Sequence, residues 1–197
     1  VGGSLTGYAT IGGLIGRNNG SVSISYSTAS INGHHNIGGL AGSSYGTVSN
    51  SYATGGVVSS AGYAGGLVGW GNTTINNSHA TGNVTGGTIF VGGLAGLLVG
   101  GSISNSFATG NVSGTSFVGG LAGRGRTVSN SSATGSVTGT SRVGGLIGQN
   151  YGATSNNYAT GAVTGTDRVG GLIGQNYGAT SNNFATGSVS GTTNVGG

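Results

Sequence analysis

Residues 91–112 read VGGLAGLLVGGSISNSFATGNV, and residues 118–137 read VGGLAGRGRTVSNSSATGSV. The second phrase restates the first with its glycines in the same places, so the reading starts from a repeat. When each unit opens at its aliphatic-Gly-Gly-Leu phrase, units begin at Ile11, Ile37, Ala64, Val91, Val118, Val143 and Val169, spaced by 26, 27, 27, 27, 25 and 26 residues. Partial units occupy residues 1–10 and 195–197, since GSLTGYATIGG from Gly3 aligns with GSVTGTSRVGG from Gly135. Near-constant spacing with one-residue slips is the signature of stacked structural coils whose corners vary slightly. Residues 1–197 are therefore read as one repeat segment, and the absence of a polar, atypical capping unit leads us to expect part of a longer chain.

The 197 residues include 49 Gly and no Pro, Cys or Met. That much glycine without a period would indicate disorder. Disordered chains normally stay soluble through charge, yet only Arg17, Arg124, Arg126, Arg142, Arg168 and Asp167 carry formal charge here. An ordered repeat is expected. No Lys/Arg run supports a nucleic-acid partner, and no apolar stretch is long enough for a transmembrane helix.

The aligned units separate inside from outside. One column is invariant, Leu14, Leu40, Leu67, Leu94, Leu121, Leu146 and Leu172; a second runs Ile31, Val57, Val84, Val112, Val137, Val163 and Val189. A third opens each unit, and a fourth runs Val22, Val48, Ile75, Ile103, Val128, Thr154 and Thr180. Three or four large apolar residues per unit cannot enclose a core alone, so burial must come from stacking. Short β-branched runs between glycines favour strands. The expected fold is an all-β, parallel β-solenoid of about seven coils with three strands per coil, right-handed by the crossover rule. An Asn column, Asn50, Asn77, Asn105, Asn130, Asn156 and Asn182, is expected to bond from coil to coil or to the corner backbone.

The phrases VGGLAG and VGGLIG, following SYATGGV, SFATGNV and NYATGAV, resemble the GLUG repeat of bacterial surface and secreted proteins. The resemblance implies an extracellular or cell-surface stalk of adhesin-like kind, and it brings no catalytic residues to transfer.

Chemistry is sparse. A single acidic side chain, Asp167, leaves no pair of carboxylates for acid/base work and no Asp in each coil for calcium. No enzyme activity, cofactor or metal is expected. His34, His35 and His79 read as a solvated pair, pointing apart if extended, and a flat ring in the column of Tyr26, Tyr52, Phe107, Tyr158 and Phe184. Two variable columns mark candidate surface. One holds Tyr45, Trp70, Leu97, Leu98, Val99, Arg124, Arg126, Tyr151 and Tyr177; the other holds Tyr63, Ile89, Phe90, Phe117, Arg142 and Arg168. They suit a cell-surface glycan or protein, or merely cover corners. A recurring Thr column (Thr28, Thr54, Thr81, Thr109, Thr134, Thr160, Thr186) raises an ice-binding face, although no second Thr stands two residues on. Asn83 and Asn111 share one repeat position in glycosylation-type sequences. The leading expectation is a non-enzymatic extracellular structural or adhesive stalk, or a fibre-forming segment whose partner is itself. The alternative is an ice- or glycan-binding solenoid face.

Overall fold

The computed structural model describes residues 2–197; Val1, at the head of the leading partial unit, lies outside the described residues. The described chain is all β, without helix, and each coil contributes one short strand to each of five parallel sheets. The coil around Val84 shows the plan: Val84–Gly86 in the first sheet, Ile89–Gly92 in the second, Ala95–Gly100 in the third, Ser102–Ser104 in the fourth and Phe107–Ala108 in the fifth. The first two sheets have eight strands and the other three have seven. Equivalent residues lie in register: Val57 on Val84 on Val112 on Val137 in the first sheet, Ala64 on Val91 on Val118 in the second. At the usual parallel spacing, seven coils extend about 34 Å.

Five strands replace the three expected because two segments bend in the middle. The Gly-Gly pair splits the aliphatic-Gly-Gly-Leu segment between the second and third sheets. At Gly93 an added Cβ would lie 2.1 Å from Gly120 O and 2.9 Å from Ala108 Cβ, so neighbouring backbone fills the space of any side chain. The Asn column makes the other bend. Asn50, Asn77, Asn105, Asn130, Asn156 and Asn182 all sit at φ between 48° and 56° and turn the chain from the fourth sheet into the fifth. Asn tolerates this left-handed conformation better than other non-glycine residues.

The expected coil-to-coil bonding of these amides is met at Asn105, whose Nδ2 donates to Asn76 Oδ1 at 3.3 Å, and is corrected for the rest of the column. These side chains are exposed, and the bonding ladder runs one residue further on. Ser25, Ser51, Ser78 and Ser106 N–H groups each donate to the next coil's serine Oγ, at 3.1–3.2 Å, ending on Ser131. Ser131 N–H then donates to Asn157 Oδ1 at 2.8 Å and Asn157 N–H to Asn183 Oδ1 at 3.0 Å. Each link satisfies a buried backbone donor that the corner takes out of the sheet ladder.

The core is two parallel apolar columns. The Leu column packs with Val48, Ile75, Ile103 and Val128 and with alanines of the fifth sheet. Val57, Val84, Val112 and Val137 pack with Ile37, Val91 and Val118 in the other. Thr154 takes Val128's place in the next coil, and its buried Oγ1 has no hydrogen-bond partner.

Candidate binding face

The second and third sheets meet almost backbone to backbone. At Gly123 an added Cβ would stand 2.6 Å from Val91 N and 2.7 Å from Phe90 C. This contact joins the two variable columns into one face. The second sheet contributes Thr10, Asn36, Phe90, Phe117, Arg142, Arg168 and Asn194, each bypassed by the strand pairing and each at φ between 52° and 56°. For Phe and Arg that conformation is costly. The third sheet contributes Arg17, Ser43, Trp70, Leu97, Arg124, Gln149 and Gln175, successive partners in register.

The expected single ladder divides accordingly. Trp70 pairs with Ser43 and Leu97, whereas Tyr45, Tyr151 and Tyr177 stand at the next corner. Tyr45 meets Trp70 edge-on at 5.1 Å, and Tyr151 stacks on Tyr177 at 4.9 Å. Leu97 and Leu98 are corrected from surface to buried, at 5% and 1% exposure. Both are paired in register before the one-residue slip between Gly71 and Asn72: Leu98 lies on Gly71 in the inward column of Asn18 and Ser44 and joins the core, while Leu97 is flanked by Trp70 and Arg124. Val99 stays at the surface.

Arginine and aromatic residues interlock across this face. The guanidinium of Arg17 lies over Tyr45 at 4.8 Å, that of Arg124 over Tyr151 at 4.4 Å, and that of Arg142 over Phe117 at 4.6 Å. Phe117 stacks on Phe90 at 4.4 Å. Arg142 Nε donates to Gln175 Oε1 at 2.7 Å, and Gln149 Nε2 donates to the same oxygen at 3.0 Å. A depression of about 440 Å³ at the other end is lined by Thr10, Arg17, Asn36, Ser43, Tyr45, Tyr63 and Trp70. Asp167 accepts from Arg168 Nη1, from Asn194 Nδ2 at 2.9 Å and from Thr193 Oγ1 at 3.1 Å. The Asn194 hydrogen bond foremost holds its carboxyl below the ordinary range.

The opposite side is regular. Tyr26, Tyr52, His79 and Phe107 stack at 5.1, 5.0 and 4.6 Å with near-parallel rings, and Tyr158 stacks on Phe184 at 5.4 Å. His79 is the flat stacked ring expected of it, and partial burial lowers its pKa. Thr54, Thr81, Thr109, Thr134, Thr160 and Thr186 form an exposed column with Thr28, each N–H of these six donating to the preceding coil at 3.0–3.1 Å. Asn83 Oδ1 accepts Asn111 N–H at 2.9 Å, and Asn111 Oδ1 accepts Ser136 N–H at 3.0 Å. Both asparagines are exposed but already engaged in a coil-to-coil ladder. His34 and His35 do not point apart. They flank the corner between Ser30–Gly33 and His35–Gly38, where their rings come within 4.4 Å, and His34 Nδ1 is 2.7 Å from Ser60 Oγ.

Sequence reading found Trp70, Leu97, Arg124, Phe90, Phe117, Arg142 and Arg168 of this face but missed Thr10, Arg17, Asn36, Ser43, Gln149, Gln175 and Asn194, whose signal was their place in the same two columns once the units are aligned by strand pairing.

These features define a parallel β-solenoid repeat protein. Two stretches of the chain, residues 33–59 and 88–113, match the model of the GLUG motif. No curated protein and no solved structure matches the chain. Among the described residues no helix is long and apolar enough to cross a membrane.

Proposed function

We propose that the protein is a non-enzymatic structural repeat, an extracellular or cell-surface stalk whose second and third sheets present an adhesive face. The observation that carries the reading is the left-handed second-sheet column. Phe90, Phe117, Arg142 and Arg168 hold a backbone conformation that Asn36 and Asn194 adopt at lower cost. Strain retained at a surface is a pointer to function. The interior stacks identical residues into a rigid rod, and the rod fixes where those side chains stand. The extracellular setting draws its support from the GLUG resemblance. Immobilised cell-wall or host-surface material should retain the wild-type protein, and Trp70→Ala with Phe117→Asn should weaken retention without changing β content by circular dichroism. Equal retention would remove the adhesive reading and leave a plain stalk, or a fibre-forming segment seen as filaments by negative stain.

An ice-binding face is the second reading. The exposed Thr column is joined by a second exposed hydroxyl column four residues on, Thr85, Thr138, Thr164 and Ser190. Thermal hysteresis lost on converting Thr109, Thr134 and Thr160 to bulky residues would favour it.

A further inference from the structure

The five arginines are dispersed in sequence, from Arg17 to Arg168. In the fold all of them lie on the face of the second and third sheets or at the corner that follows it. Arg124, Arg126, Arg142 and Arg168 fall within three successive coils, since Arg124 pairs with Gln149, Gln149 with Gln175, and the Arg142 strand with the Arg168 strand. The only acidic side chain is Asp167, and it is bound to Arg168. Arg124 and Arg126 therefore have no anionic partner among the described residues, and Arg142 shares the charge of Asp167 with Arg168.

Their arrangement selects the kind of anion. The guanidinium groups of Arg124 and Arg142 lie over the rings of Tyr151 and Phe117, and Arg142 is further held by Gln175. Arg142 Nε and Nη1 are taken up by Gln175 and Ser141 and Arg124 Nε is buried, so Arg142 Nη2 and the two Arg124 Nη groups are left to meet an oxyanion, in the charge-assisted hydrogen bonds Arg offers to carboxylates. Because one side of each of these rings is covered, they are poor platforms for nucleobases, which bind single-strand sites by stacking. The hydroxyls of the exposed Tyr151 and Tyr177 add neutral polar groups suited to sugar hydroxyls. The coil rise of about 4.8 Å is close to the length of one pyranose unit in an extended chain.

We propose that this strip of Arg124, Arg126, Arg142 and Arg168 binds an acidic polysaccharide of the polyuronate class laid along the solenoid axis. The inference rests on the adhesive reading above and gives it a ligand. Asp167 occupies one of the four cationic positions and tempers the affinity.

The test is calorimetric titration of the protein with polygalacturonate, with dextran and oligo(dT) as comparisons, at low and moderate salt. Binding to polygalacturonate should weaken as salt rises. Combined Arg124→Gln, Arg126→Gln and Arg142→Gln should weaken it by at least about tenfold. Asp167→Asn should tighten it about two- to fivefold by freeing Arg168, a gain that misfolding cannot imitate. No binding at low salt, unchanged affinity in the triple variant, dextran binding as well, or oligo(dT) binding tighter would each overturn the proposal. A protein without β structure by circular dichroism would instead sink the stalk reading, whereas an intact rod that ignores polygalacturonate removes only this ligand.

Discussion

Two columns in this molecule share one unusual backbone conformation and fill it differently. At the corner between the fourth and fifth sheets, left-handed φ is occupied by Asn in six coils and by Ile24 in the remaining one; in the second sheet it is occupied by Thr, Asn, Phe and Arg. The first column shows what the backbone prefers when nothing else is asked of the side chain. The second shows side chains kept for what they present outward. Repetition along this rod records the demands of stacking, and departures from it record a surface.

The contrast depends on inside and outside being correctly separated, and the largest effect tests that. Leu121 is fully buried in the core, so Leu121→Asn should cost at least about 4 kcal/mol through a cavity and an unsatisfied amide. Arg124→Ala should cost under about 1 kcal/mol, its loss confined to one cation–π contact. Chemical denaturation of both variants reads the difference, and similar midpoints would break the assignment of faces.

A finer test compares the left-handed columns directly. Ile24 is 84% exposed at φ 50°, and Ile24→Asn should stabilise by about 1 kcal/mol by relieving strain. Phe117→Asn should come out within about 1 kcal/mol of wild type, because relief of strain is offset by loss of its stacking on Phe90. A clear gain at Phe117 and none at Ile24 would reverse the argument.

The buried column offers a third measurement. Thr154 Oγ1 lacks a partner where the preceding coils carry Val or Ile. Thr154→Val should therefore raise stability by about 1 kcal/mol, visible as a higher midpoint in urea.

The smallest effect concerns pH. Burial between rings lowers the His79 pKa, so the unfolded chain takes up its proton first as pH falls. The stability tied to neutral His79 is complete above its unfolded pKa, about 6.5. It is lost as pH falls below that value and levels off once the lower folded pKa has been passed. His79→Phe should flatten this part of the stability–pH curve, and an unchanged slope would place its origin elsewhere.

By itself the sequence determined the solenoid, its period and its inward columns, because a position repeated seven times samples one environment and apolar identity follows burial. It also marked the variable positions as surface. Tertiary structure alone decided the number of strands, since Asn at positive φ and backbone contact at Gly93 bend segments whose apolar pattern reads as continuous. It also buried Leu97 and Leu98, the first between Trp70 and Arg124 of adjacent coils and the second in the inward column of Asn18 and Ser44, relations that spacing does not reveal. Above all, it gathered arginines distant in sequence onto one face: their neighbourhood is set by strand register and by the backbone contact at Gly123, both of which are relations between coils.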